Sequence, residues 1–291
     1  MNISLNPLEL EVLTDDQIEN LLYNTTNMNQ LPPLTDVVIG PYSSDFGIVL
    51  QHGFIGGNLE MLYLGYNFAK HGYRVIIPVL PGHGQNFLAL HRVDRFQWYK
   101  KMDLAIAFLK KENPNRMMFL VGHSLGGTLA IKTASENQNI SGIITLAAPI
   151  GYPPPFHKLV KVVNKFKPNL ILRYRKFRFF DHRLESHPYV SFIYKNYSYI
   201  TMNTLFQVVK TLERGKRALK KLKTPLLVIN SEGDTTIWPD NGWKIYSKTA
   251  SKCKGFIQLY NSSHLIPVEL DKEYVLKISL EFLNRIIENT N

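Results

Sequence analysis

The sequence holds a single cysteine, Cys253, in 291 residues, which excludes an internal disulfide and any metal or cluster site built from cysteines. The lone thiol is expected to be partly buried and to carry no chemistry. No apolar run approaches the ~18 to 20 residues that a membrane-spanning helix requires. The opening stretch, MNISLNPLELEVLTDDQ, has no basic n-region and no apolar h-region, so it does not read as a secretory signal, and a cytoplasmic location is expected. The histidines, nine in all, show no metal-ligand spacing, and neither a metal nor another cofactor is expected. Lysine and arginine are missing altogether from residues 1–69, which carry eight acids.

The net charge of +11 therefore misdescribes the chain as a whole. Residues 151–223 contain 17 of the 34 basic residues against only Asp181, Glu185 and Glu213. Any attraction to an anionic partner must reside in that segment. With 45% apolar residues the rest of the chain can bury a full core, as one large α/β domain or a domain with an insertion.

Apolar runs and turn residues alternate along the chain in a strand, helix, strand, helix order. Strands are expected at Phe46–Gln51, Tyr73–Val79, Met117–Val121, Gly142–Ala147, Pro225–Asn230 and Gly255–Tyr260. Helices are expected over 59–70, 93–111, 128–136 and 272–287, with a shorter one running to Lys248. This alternation predicts a mostly parallel central sheet covered by helices on both faces. The ~70 residues between the fourth and fifth strands far exceed an ordinary connection, so 151–223 reads as an inserted subdomain. Residues 1–45 read as an N-terminal accessory arm with a short helix near Thr14-Asp15-Asp16, leaving 46–150 and 224–291 as the core.

The stretch that organises the chain is Met117–Gly127, MMFLVGHSLGG. Gly122-His123-Ser124-Leu125-Gly126 has the G-x-S-x-G form that sets a serine on a sharp strand-to-helix corner, where a side chain at either glycine would collide. Two later strands end in groups that could serve that serine. Ser231-Glu232-Gly233-Asp234 follows the fifth strand and Asn261-Ser262-Ser263-His264 follows the sixth, giving the order serine, acid, histidine. His264 is the only histidine after the acid. It would take the proton of Ser124, and Asp234 would fix its tautomer and stabilise its cation. Glu232 and Asp240 are rival acids, the latter placed to cap the following helix. A developing oxyanion needs two amide donors, for which Leu125 and Phe54 are the candidates. His52, His83 and His123 read as residues that brace loops around the site.

Taken together, HGFIGG at His52, PGHG at Pro81, Phe96-Gln97-Trp98, GHSLGG at Gly122, SEGD at Ser231 and SSH at Ser262 resemble the α/β-hydrolase superfamily. Within it they look specifically like the bacterial carboxylesterase and monoacylglycerol lipase branch. The likeness covers roughly residues 46–150 and 224–288. It implies a serine hydrolase of short to medium acyl esters or monoacylglycerols, with Ser124, Asp234 and His264 as the triad. The longer arm and the unusually basic insertion depart from that pattern.

The insertion would act as a lid. Residues 151–200 hold 12 of the 34 aromatic residues, among them Phe156, Phe166, Phe177, Phe179, Phe180, Phe192 and Tyr194. These serve either a small core joining lid to main domain or an acyl pocket. Lys158, Lys161, Lys165, Lys167, Arg173, Arg175, Lys176 and Arg178 make one face cationic, a candidate for an anionic membrane surface; nucleic acid is not expected. Two alternatives stand beside ester hydrolysis: a thioesterase or lysophospholipase-like hydrolase of anionic lipids, and a noncatalytic binding protein on the same fold.

Overall fold

Strand β3 (Phe46–Gln51) and strand β5 (Met117–His123) lie side by side in the middle of an eight-stranded sheet. Both are buried on two faces, which is why they read as continuous rather than alternating apolar runs. The computed structural model describes residues 8, 10–24, 35–152, 154–173, 197–238 and 240–290.

The remaining strands of this sheet are β1 (Leu10–Val12), β2 (Asp36–Ile39), β4 (Arg74–Ile77), β6 (Ile140–Leu146), β9 (Leu226–Ser231) and β10 (Lys254–Leu259). The spatial order is β1-β2-β4-β3-β5-β6-β9-β10. Neighbouring strands are parallel except at β2 and β4, which pair antiparallel. The chain passes from β3 outward to β4 and then back across to β5, so the order reverses between β3 and β5. In an open α/β sheet that reversal opens a crevice at the carboxyl ends of the strands.

Helix Leu62–Lys70 and the last helix, Lys272–Glu288, touch each other on one face. Helices Arg95–Glu112 and Leu125–Glu136 share the other, with Asn241–Lys248 on the same side. The expected α/β-hydrolase architecture, a mostly parallel sheet between helical layers, is the one observed.

The expectation that the ordered core begins at Phe46 needs extending. β1 and β2 lie in the arm yet belong to the sheet, because the edge of β4 offers β2 a ladder that the sequence does not show locally. Asp36, at the start of β2, is buried; it accepts from the Val79 amide at 2.8 Å and pairs with buried Lys101 at 2.6 Å. The expected arm helix forms over Asp15–Glu19, with Thr14 and Gln17 making a reciprocal cap. Its Glu19 receives the Tyr66 hydroxyl at 2.6 Å and Lys70 at 3.3 Å. These two ion pairs tie arm carboxylates to the core.

The insertion divides into two parts. Helix Pro154–Phe166 packs against helix Met202–Ala218, and β7 (Ile171–Arg173) pairs antiparallel with β8 (Tyr199–Thr201), which touches the short helix Phe87–His91. Helix Met202–Ala218 lies against helix Leu125–Glu136, with Gly215 in contact distance of Thr128. Val160, Met202 and Val209 form a small second core with half-buried Tyr152 and Phe156. Phe156 therefore packs within the insertion's own small core, whereas Phe166 is 73% exposed with Lys165 over its ring. Phe177, Phe179, Phe180, Phe192 and Tyr194, with Arg175, Lys176 and Arg178, lie outside the described residues. Cys253, expected to be partly buried, is exposed, since it leads into β10, an edge strand covered by a neighbour on one side only.

Candidate active site

Ser124 sits at the turn from β5 into helix Leu125–Glu136 with φ 50° and ψ −119°, a conformation that few side-chain-bearing residues adopt. Two glycines make this corner possible. A side chain at Gly122 would meet the backbone of Gly126, and one at Gly126 would meet the carbonyl of Gln51 at the end of β3. The elbow is thus wedged between its own helix and the neighbouring strand. The Ser124 amide donates to the Leu146 carbonyl at 2.8 Å, which fixes the turn to β6 as well.

His264 reaches this serine from the loop after β10. Its Nε2 lies 3.1 Å from Ser124 Oγ, and its Nδ1 lies 2.7 Å from Asp234 Oδ2. All three side chains are buried. The other carboxylate oxygen of Asp234 accepts from the amides of Thr236 at 2.8 Å and Ile237 at 3.1 Å. Burial alone would push the Asp234 carboxyl up; the facing His264 ring and these two amides outweigh it and hold the group below the ordinary carboxylate range. The rival acids are not brought here. Glu232 is exposed. Asp240 pairs with Lys244 one turn along and makes no side-chain cap bond, so the expected cap is replaced by an ion pair.

The loop carrying His264 is fastened by two carboxylates that sequence reasoning missed. Glu269 accepts from the Ser263 amide, from Ser263 Oγ at 2.5 Å and from the Leu265 amide at 3.1 Å, bracketing the histidine on both sides. Asp271 accepts from the Asn261 amide at 3.2 Å and from Ser262 Oγ at 2.9 Å. Ser231 Oγ donates to the Ser262 carbonyl and joins this loop to the one bearing Asp234. The only signal in the sequence was a pair of acids a few residues beyond His264.

The two oxyanion candidates stand next to Gly53 and Ser124 in the chain. Leu125 opens the helix after Ser124, and Phe54 follows Gly53, whose Cα abuts the Ser124 side chain so closely that an added Cβ would lie 3.1 Å from Ser124 Cβ. His52 is buried, donates through Nδ1 to the Gly53 carbonyl at 2.8 Å and accepts the Leu80 amide at Nε2, 3.0 Å away. Burial holds this ring below the ordinary histidine value, against the pull of Glu60, so it is a neutral brace. His83 stacks among His52, Phe54 and Trp98. Such an arrangement can deliver a hydroxyl to a carbonyl carbon, relay its proton through an imidazole and cradle the resulting oxyanion.

Comparisons with known proteins place the chain in a family. The family model described as serine aminopeptidase S33 matches residues 44–271. The chain is similar to a thermostable monoacylglycerol lipase of Bacillus sp. (strain H-257), at 27% identity over 242 residues that make up 81% of this chain and 89% of that protein. It is also similar to a carboxylesterase of Bacillus subtilis (strain 168), at 23% identity over 83% of this chain and 94% of that protein. Among solved structures, a monoacylglycerol lipase of Paleococcus ferrophilus superposes with a TM-score of 0.72 at 19% identity, over 87% of this chain and 99% of that one. At that identity the likeness speaks for the fold.

Proposed function

The chain belongs to the serine aminopeptidase S33 family, and on that premise we propose that it is a serine hydrolase that cleaves carboxylic esters through an acyl-enzyme intermediate. The observation that carries the reading is the unbroken relay from Ser124 Oγ through both nitrogens of His264 to Asp234, at 3.1 and 2.7 Å. Ser124 Oγ attacks the ester carbonyl while His264 Nε2 takes its proton. Asp234 holds the opposite nitrogen as donor and stabilises the imidazolium. The amides of Phe54 and Leu125 receive the oxyanion. The tetrahedral intermediate collapses, His264 protonates the leaving alcohol, and water repeats the sequence to release the acid.

The substrate class rests on the relatives, whose names are those of a monoacylglycerol lipase and a carboxylesterase. Short to medium acyl esters and monoacylglycerols are accordingly the expected substrates. A fluorophosphonate probe should label the wild type and not Ser124→Ala, and hydrolysis should be profiled across p-nitrophenyl esters and monoacylglycerols of increasing chain length. Labelling that persists in Ser124→Ala sinks the assignment of the nucleophile, and absence of any ester hydrolysis sinks the reading itself.

One observation favours an anionic lipid surface as the place where substrate is met. On helix Pro154–Phe166, Leu159, Val162 and Phe166 are exposed at one-turn spacings, interleaved with exposed Lys158 and Lys165 and followed by exposed Lys167 just past the helix end. Apolar groups among lysines suit the boundary of an anionic bilayer. Phosphatidylserine vesicles should bind the protein and neutral vesicles should not, with binding weakened by salt. Lys158→Gln, Lys165→Gln and Lys167→Gln together should abolish that binding while sparing hydrolysis of a soluble ester. Equal binding to both vesicles overturns it. Among the described residues no helix is long and apolar enough to cross a membrane. A cytoplasmic setting, supported by the single exposed cysteine, completes the reading and is tested by cell fractionation.

A further inference from the structure

Glu60 is a carboxylate buried to 3% exposure in the short helical turn Asn58–Met61, where the relay from Ser124 to Asp234 makes no use of it. Its Oε1 accepts from the Gly53 amide at 2.5 Å and faces Nδ1 of buried His123 at 2.8 Å. The other ring nitrogen of His123 lies 2.7 Å from the His264 carbonyl. A carbonyl can only accept, so His123 Nε2 bears a proton, and with a carboxylate opposite Nδ1 the ring is a donor at both ends. One buried carboxylate thus joins the loop after β3, the residue preceding Ser124 and the backbone of His264.

The Phe54 amide belongs to the same peptide unit as the Gly53 carbonyl, and the chain contains no cis peptide among its described residues. That carbonyl is held by His52 Nδ1 at 2.8 Å and by the Gly56 amide at 3.1 Å. Across a trans peptide the Phe54 N–H must point the opposite way. The unit before it is held by Glu60 through the Gly53 amide. The strained residue that follows, Ile55 with φ 56°, is fully buried. Gly56 leaves room for the carboxylate, since a side chain there would strike Glu60 Oε2.

We propose that Glu60 is a positioning residue: paired with His123, it orients the peptide that presents the Phe54 amide and locks it in register with Ser124 and His264. The inference rests on the ester hydrolase reading and deepens it. The electrostatics agree with the geometry. Burial would lower the His123 value, and the attraction and hydrogen bond of Glu60 outweigh it and raise it. Burial would raise Glu60, and His123, with a smaller contribution from His52, holds it below the ordinary carboxylate range. The titratable groups facing this pair are His52, the His264 ring with its centroid 5.0 Å from that of His123, and Asp234 behind it.

Glu60→Ala and Glu60→Gln decide the matter, with kcat expressed per site titrated by a fluorophosphonate so that misfolded protein does not count. Glu60→Ala should lose about 10²-fold in kcat with KM within about threefold, the signature of a donor felt only in the transition state. Glu60→Gln should recover part of the loss, because an amide oxygen still accepts from Gly53. A boronic acid whose serine adduct puts an oxygen in the oxyanion position should bind Glu60→Ala more weakly in proportion to the lost kcat. A kcat per site within threefold of wild type, a loss confined to KM, or unchanged boronate affinity overturns the proposal. Should the wild type hydrolyse no ester, the functional reading fails, and the loop anchor is judged by amide exchange at Gly53. Exchange faster in Glu60→Ala by about 10²-fold upholds the anchor, and unchanged exchange removes it.

Discussion

Ser124 and His264 stand 3.1 Å apart and are held by different physics. The serine is set by exclusion: Gly122 and Gly126 sit where any side chain would strike neighbouring backbone, and Ser124 takes its strained φ between them. The histidine is set by attraction, through a loop drawn onto the carboxylates of Glu269 and Asp271. A wedge tolerates no added atom and needs no particular charge. A clamp tolerates small changes of shape but depends on acceptors that must stay in place. The two halves of one proton relay should therefore fail under different perturbations.

The largest effect should come from removing the reacting groups, which tests the premise that both halves serve one reaction. Ser124→Ala and His264→Ala are each expected to reduce kcat by about 10⁴-fold or more with the folding transition preserved, as measured by steady-state kinetics and thermal unfolding. Near-normal turnover in either would separate the two residues. Next comes the wedge: Gly126→Ala should destabilise the fold by roughly 1 to 3 kcal/mol in urea titrations, and it should cost activity in the fraction that stays folded, because an overpacked elbow has to shift. An unperturbed variant would mean that the corner is not sterically determined.

The clamp should break more gently. Glu269→Gln keeps the shape and one acceptor, so kcat should fall about tenfold with a stability loss of about 1 kcal/mol. A loss as large as that of His264→Ala would promote Glu269 from fastening the loop to taking part in the reaction. The smallest effect concerns acid. Asp234 and Glu60 are both held below the ordinary carboxylate range in the fold. The unfolded chain therefore binds those protons more readily. Their stabilisation is complete above the ordinary carboxylate range and is lost as pH falls through the depressed folded values. Asp234→Asn should flatten part of that decline in thermal unfolding measured from neutral to acid pH. An identical slope would show that other groups govern it.

The same contrast explains what could be read before the structure was known. A wedge is written locally: the glycines that make the elbow lie within five residues, and the strand before them is a single apolar run, so the motif declared itself. Asp234 and His264 followed from chain order because parallel strands deliver their following loops to one edge. The strand borders moved only slightly, as in Ile140–Leu146 for the expected 142–147. Glu60, Glu269 and Asp271 were not legible as site residues, since a buried carboxylate and an exposed one look alike until tertiary contacts bring their donors. β1 and β2 were missed for a related reason: each has three or four residues, and the partner of β2 arises some 35 positions later.

That delay has a consequence for how the chain comes together during synthesis. β2 leaves the ribosome before β4, the strand whose edge it needs, and well before Lys101, the cation that Asp36 must meet inside the protein. Until then Asp36 has to stay in water, because a lone buried charge would cost several kcal/mol. The amino-terminal segment is thus emitted first and seated late, after the strands it borders exist. Closing such sequence-distant contacts is slow in comparison with local helix formation. A pause in translation between β2 and helix Arg95–Glu112 would leave a sheet edge open and a strand unpaired, the moment at which the nascent chain is most exposed to pairing with the wrong neighbour.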